Sequence, residues 1–335
     1  MPPDILIVRF SAIGDILLMT PLLRVLRGKH PDARITVVTR ARFAPLLAHN
    51  PRVSEVIGWD ESESIAALGR GLKGRGFSHR LDLHGSLRSL ALRRAAGGRW
   101  TTYPKHRVAR TVLIRTKRDV YRDHRPVAER YFDAAKDLGV APDDGPPEMF
   151  LSRPTLHAAE DFLSAHGIGV TRQLIAVAPG AAHFTKRWPL HHWTALARRL
   201  VDMGNDVVVV GGPEDHAVGA AVADAAGDRA VSAAGAFDLP GSAAVLKRAR
   251  ALVSGDTGVM HLASAVGTPI VALFGPTVEP FGFFPYHAKA KVLQRELYCR
   301  PCSAHGGPKC PEVHHRCLQD LTPEDVLEAL RKLPR

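Results

Sequence analysis

At 335 residues, with 45% hydrophobic and 23% charged residues, the chain has the length for two domains and the composition of an ordinary soluble globular protein. No apolar run approaches the roughly 18 residues of a membrane-spanning helix, and MPPDILIVRF lacks a basic stretch before its apolar run, so neither a membrane span nor a signal peptide is expected and a cytoplasmic location follows. The formal charge is +12, much of it between Arg93 and Arg125, a patch that would attract nucleic acid, lipid headgroups or a phosphorylated substrate unless it is only a solvated face.

In chain order, ILIVRF (5–10) reads as a strand and Asp15 to Leu26 as a helix. ARITVVTR (33–40) is a second strand, followed by a helical RFAPLLAHN. RVSEVIGW and HRLDLHG are the third and fourth strands, around a helix near 62–74. The segment 139–154, rich in Pro, Gly and acid, breaks this alternation, and a helix follows near 155–166. A second alternating series then runs through the strand in QLIAVAPGA, the helix WTALARRLVDMG, the strand NDVVVVGG, the helix VGAAVADAAG, AVLKRARALVSG and the strand PIVALFG. Continuous apolar strands alternating with helices predict two doubly wound α/β domains with parallel sheets, facing each other across a cleft, divided near 168/169. The tail LTPEDVLEALRKL (321–333) predicts a helix capped by Thr322, with Pro323 in its first turn.

Ligands of open parallel sheets sit beyond the carboxyl ends of the strands, and several polar groups fall there. In LVSGDTGVMHLAS, Asp256, Thr257 and Gly258 form the turn from strand to helix, with His261 one turn on. Free backbone N–H groups at a helix start would seat a diphosphate, with the Thr257 hydroxyl added; the alternative is an Asp256 N-cap and a satisfied core histidine. In PGAAHFTKRWP, Lys186 would neutralise a leaving diphosphate and Thr185 would donate to it, whereas Arg187 reads as a solvated loop charge. Near the start, Ser11 and Gly14 lie in a strand-to-helix turn. Asp15 either caps that helix or takes a proton from a hydroxyl. Glu214, in GGPEDHAVG, would accept from a ribose diol or merely open a helix.

The four cysteines, Cys299, Cys302, Cys310 and Cys317, share one short stretch; a structural zinc site and a loop of reduced thiols are equally open readings. The first strand-to-helix turn, RFSAIGDILLMTPLL, does not have the G-x-G-x-x-G spacing of a dinucleotide fingerprint, and the chain has no P-loop and no Asp-x-Asp, which argues against a dinucleotide oxidoreductase, a P-loop NTPase and a metal-dependent turnover. Nor does it have a zinc-finger spacing or an RNA-binding aromatic signature. A basic anion- or nucleic-acid-binding module without catalysis is therefore only the alternative.

Together, RFSAIGDILLMTP, PGAAHFTKRWP, GGPEDH and SGDTGVMHLASAVGTPIVALFGPT resemble the ADP-heptose:lipopolysaccharide heptosyltransferase family, glycosyltransferase family 9, over almost the whole chain. The cysteine-rich tail resembles the second-heptose branch more than the first. The resemblance implies a GT-B architecture: an acceptor domain (1–168), a nucleotide-sugar domain (169–320) and a terminal helix (321–335) packing back on the first domain. It implies inverting transfer of L-glycero-D-manno-heptose from ADP-heptose to the inner core, onto heptose I, with another nucleotide-sugar or surface glycan as the alternative. By resemblance Asp15 is the catalytic base, and Ser11 and Gly14 belong to the acceptor side. Thr185 and Lys186 then lie by the donor phosphates, and Glu214 by the ribose. Phe237 falls against the adenine, and Asp256, Thr257, Gly258 and His261 form the donor motif. No cofactor or nucleic-acid partner is implied. The acceptor would be an anionic lipid-linked glycan, met by peripheral contact with the inner face of the cytoplasmic membrane.

Overall fold

The computed structural model describes residues 1–334 and divides into two compact units. The first comprises Met1–Lys105 and Arg125–Phe150. Its sheet runs β1 (Asp4–Val8), β2 (Arg34–Arg40), β3 (Glu55–Trp59), β4 (His79–Asp82) and β5 (Thr101–Thr102), all parallel, in the order β3-β2-β1-β4-β5. Ile5 pairs with Ile35 on one side and His79 on the other. Residues Ile5 to Val8 are wholly buried because helices cover both faces, which is why β1 reads as a continuous apolar run.

The predicted helix from Asp15 to Leu26 is two helices, Ile13–Leu17 and Thr20–Lys29. Pro21 cannot donate a backbone hydrogen bond, so the helix restarts there, and the Thr20 hydroxyl donates instead to the Leu17 carbonyl at 2.6 Å. Gly14, expected in a tight turn, is a buried residue within the first of these helices. Pro45 likewise confines the segment after β2 to a 3-10 helix, Ala41–Leu46.

The second unit comprises His106–His124 and the chain from Leu151. Its strands are β6 (Leu174–Ala178), β7 (Asp206–Val209), β8 (Ala230–Ser232), β9 (Ala251–Gly255), β10 (Ile270–Phe274) and β11 (Ala290–Gln294). They form a parallel sheet of order β11-β10-β9-β6-β7-β8. In both units the chain builds outward to one side and then crosses back, so the order reverses at β1/β4 in one sheet and β6/β9 in the other. A crevice opens at such a point beyond the strand ends.

Two domain boundaries differ from the sequence reading. The helix Arg153–Ala165, assigned to the first domain, belongs to the second unit. Ser152 caps it, Phe162 packs edge-on to Phe237 at 5.1 Å, and Glu160 meets Arg248 at 3.4 Å. The basic stretch is also divided. Its segment 106–124 groups with the second unit through Leu113, Tyr121 and Phe281, and Lys117 donates to the Pro301 carbonyl at 2.7 Å. The terminal helix, Pro323–Arg331, carries the expected Thr322 cap. Its apolar face (Val326, Leu327, Leu330) lies in the core of the second unit with Trp193 and Leu196, so the helix expected to pack on the first domain belongs to the second unit.

Candidate functional site

The first unit brings Asp15 to the reversal point of its sheet, on the helix that follows β1. Its Oδ1 lies 2.5 Å from an Arg9 guanidinium nitrogen and 3.3 Å from the Tyr131 hydroxyl, and its Oδ2 accepts from the Ala12 N–H at 3.1 Å. Asp15 thus anchors the start of its own helix as well as facing the strand ends. Ser11 stands half-buried in the same turn. The loop after β4 approaches from the neighbouring strand end. Buried Asp82 accepts from the His84 and Gly85 N–H groups at 2.9 and 2.8 Å, and Lys105 donates to the His84 and Gly85 carbonyls. The His84 ring packs edge-on to Phe10; burial, then Arg9 and Lys105, push its pKa down to about 4.

In the second unit the turn Phe184–Lys186, after β6, meets the loop after β9. Lys186 Nζ is 2.7 Å from Asp256 Oδ2 and donates to the Asp256 carbonyl at 3.1 Å, while the buried Thr277 hydroxyl donates to the same Oδ2 at 2.7 Å. The approach is close, since a side chain at Gly255 would touch the Lys186 carbonyl at 3.1 Å. Asp256 is therefore not the N-cap. Thr257 occupies that position without capping through its side chain, and its hydroxyl meets Ser254 at 3.2 Å. The helix Gly258–Val266 thus begins with backbone donors that the Thr257 side chain does not cover, an arrangement suited to an anion. His261 lies one turn on and is buried within this helix.

The remaining candidates divide. Thr185 is only 2% exposed and turned inward: its hydroxyl accepts from the Gly307 N–H at 2.8 Å and lies 3.3 Å from the Gly307 carbonyl. It clasps the cysteine-rich segment to the Lys186 turn, a contact the sequence reading did not anticipate. Phe237 is half-buried in the bend before the helix Leu239–Arg248, with Phe162 edge-on to it at 5.1 Å. Glu214 is exposed on the 3-10 turn Pro213–Asp215 after β7. It lines a cleft of about 520 Å³ with Gly180, Arg187, Trp188, His191 and Asp215.

The cysteines are all free thiols, and no three Cys, His, Asp or Glu side chains among the described residues converge as metal ligands. Burial pushes the Cys299 and Cys302 thiols up and Cys317 to about 12, which favours the protonated thiol in the metal-free chain. The described residues thus hold no preformed set of metal ligands in this stretch. The sequence reading missed Arg9, His84, Tyr131 and Thr277. Only the strand-end DLHG and GPT turns carried a local signal for two of them.

The family model for glycosyltransferase family 9 (heptosyltransferase) matches residues 65–309. Lipopolysaccharide heptosyltransferase 2 of Salmonella typhimurium is 30% identical over 98% of both chains. Among solved structures, a family 9 glycosyl transferase from Veillonella parvula superposes with a TM-score of 0.81 at 26% identity, covering 98% of this chain and 96% of that one. The E. coli ADP-heptose lps heptosyltransferase II gives 0.76 at 28% identity, covering 98% and 97%. With two parallel-sheet units of the GT-B class, the chain belongs to glycosyltransferase family 9, the heptosyltransferases, and is a glycosyltransferase enzyme.

Proposed function

We propose that the protein transfers L-glycero-D-manno-heptose from ADP-heptose to the lipopolysaccharide inner core, with inversion, adding the second heptose to the first. The observation that carries this is a contrast between two ion pairs. In the first unit the carboxylate is the more exposed partner, Asp15 at 18% against Arg9 at 7%. In the second the cation is, Lys186 at 16% against Asp256 at 9%. One unit offers a base to a hydroxyl, and the other a cation and a helix N-terminus to a diphosphate.

In this mechanism Asp15 takes the proton of the acceptor hydroxyl as it attacks the anomeric carbon. The anomeric bond to ADP breaks on the opposite face. An ammonium has three donors, and with two on Asp256 the third is directed at the leaving phosphate; the Thr257 hydroxyl and the N–H groups from Gly258 onward add to it. Glu214 takes the ribose diol at the rim of the donor site. A diphosphate is a stable enough leaving group that no paired acid is needed.

The acceptor is an anionic lipid-linked glycan, met at the inner face of the cytoplasmic membrane through the basic stretch. No helix among the described residues is long and apolar enough to cross a membrane. A transfer assay tests the reading: ADP-L-glycero-β-D-manno-heptose, a defined series of inner-core acceptors, EDTA throughout, products read by mass. Addition of one heptose only to the acceptor already carrying one is the expected result. ADP binding without transfer would redirect the search to another sugar or acceptor, and absence of both would overturn the donor site.

A further inference from the structure

The carboxylate proposed as base is gripped from behind by groups that touch nothing else in the reaction. Arg9 leaves β1 buried, at 6% exposure, and spends its guanidinium on three partners: the Leu83 carbonyl at the end of β4 (2.5 Å), the Tyr103 hydroxyl (3.5 Å) and Asp15 Oδ1 (2.5 Å). Tyr131, wholly buried on the 3-10 helix Tyr131–Leu138, packs edge-on to Tyr103 at 4.8 Å and points its hydroxyl at the same Oδ1 from 3.3 Å. Two side chains far apart in sequence therefore converge on one oxygen of a third. A fold that needed only to tie β1 to β4 would have achieved it with the Arg9–Leu83 bond.

We propose that Arg9 and Tyr131 are positioning residues that hold Asp15 in one rotamer and keep it ionised for proton abstraction; this rests on the reading of Asp15 as the base. Neither partner changes its protonation at the pH of turnover. Burial works against the charged Arg9, yet Asp15 and the two phenols more than offset it, and burial pushes the Tyr131 phenol well up, so it stays a donor. The other titratable groups around the pair are Tyr103, also pushed up by burial, His84, neutral above about pH 4, Lys105 on the His84 carbonyl, and Asp82 and Arg130 beyond them. The clamp thus keeps one protonation state over the working range. Such a carboxylate is a weaker base but is always present as one, correctly aimed. That suits an attack in which the proton leaves late, since misplacement by about 1 Å can cost a hundredfold.

The test is Tyr131→Phe, which deletes one hydroxyl and keeps the ring against Tyr103. The expected result is a kcat lower by about tenfold with the donor KM unchanged, and an acid limb of the kcat profile moved to higher pH, because a donor to the ionised form is lost. Arg9→Met should move that limb further and Arg9→Lys restore part of it. Should Arg9→Met fail to fold, the tyrosine variant still decides. Tyr131→Phe with wild-type kcat and an unmoved acid limb would overturn the clamp. Asp15→Asn separates the two ideas. Transfer at the wild-type rate in that variant would overturn the base reading beneath the clamp, whereas an inactive Asp15→Asn beside a silent Tyr131→Phe would overturn the clamp alone.

Discussion

Lys186 pairs with Asp256 in this structure and is proposed to meet a diphosphate as well, and removing it separates the two roles. Its Nζ lies 2.7 Å from Asp256 Oδ2, and both side chains are largely buried. At an effective dielectric of about 20 the gross attraction at this separation is roughly 6 kcal/mol, most of it offset by the cost of taking both charges out of water. Lys186→Met leaves Asp256 buried with only the Thr277 hydroxyl on Oδ2 in place of an ion pair. Breaking one side of a buried pair costs about 3–5 kcal/mol. Asp256→Asn in the same chain removes the stranded charge, and the new amide oxygen still accepts from Thr277. The double variant should therefore recover most of the loss and end within about 1–2 kcal/mol of wild type. Urea melts of the wild type, the single and the double variant measure this directly, with calorimetric titration of ADP on each. If Lys186 also serves the diphosphate, the double variant folds well yet binds ADP at least tenfold more weakly, from loss of a charge-assisted hydrogen bond. A single variant within about 1 kcal/mol of wild type would refute the buried-pair argument. A double variant with wild-type ADP affinity would leave Lys186 as a purely structural cation.

His84, held near 4 in the fold against about 6.5 when unfolded, is protonated first in the unfolded chain as pH falls. Its stabilising contribution is complete above about pH 6.5 and lost toward pH 4, so His84→Gln should spare the protein about 2–3 kcal/mol of acid destabilisation between pH 7 and 4.5, read by urea melts; parallel pH profiles would refute this. Gly180→Ala would place a methyl 2.0 Å from the Asp215 carboxylate, so a loss of about 1–3 kcal/mol is expected, relieved by Asp215→Ala. Thiol titration at pH 8 should modify Cys302 and Cys310, both partly exposed, before buried Cys299 and Cys317, the last held near 12; equal rates would contradict this burial.

The parts of the fold legible in the sequence are those written in local pattern. β1, β2, β6, β7, β9 and β10 are continuous apolar runs because both their faces are covered. β5 has two residues and β8 three, and β11 has no fully buried position, so none of them stands out from its surroundings. The helix restart at Pro21 was readable and was overridden by the apolar periodicity. The boundary was misjudged because the helix 153–165 follows a loop that looks internal, while its partner, Leu239–Arg248, lies far along the chain. The same divide runs through the site. Lys186, Asp256, Thr257 and Asp15 could be chosen by their places at strand ends, but whether a hydroxyl faces out or in depends on distant chain. Thr185 turns inward because Gly307 receives it, and Phe237 is half-buried with Phe162 edge-on to it. The clamp on Asp15 joins residues 116 positions apart.

The two ion pairs also explain why charge alone misleads in this chain. A formal excess of +12 suggests a surface made for anions, yet neither of the two cations in the proposed mechanism is a surface charge. Arg9 is buried behind a carboxylate, so its effect reaches outward only as the orientation and ionisation of Asp15. Lys186 stands in front of a carboxylate, so Asp256 fixes where the ammonium points. Exchanging the order of the pair exchanges what the strand ends offer: a hydrogen-bond acceptor in one sheet, a donor in the other. Group transfer from a diphosphate to a hydroxyl needs one of each. Each pair is close to neutral overall, so each can be desolvated without the full penalty of an isolated charge. Salt would then barely disturb these buried pairs, while the exposed part of the Arg93–Arg125 stretch would be screened within about 8 Å at physiological ionic strength. If Asp15 is the base and the acceptor is anionic, as proposed, raising the salt should weaken acceptor recognition and leave the proton transfer unchanged, a rise in acceptor KM at constant kcat. A fall in kcat at saturating acceptor would mean that the clamp itself is open to solvent ions.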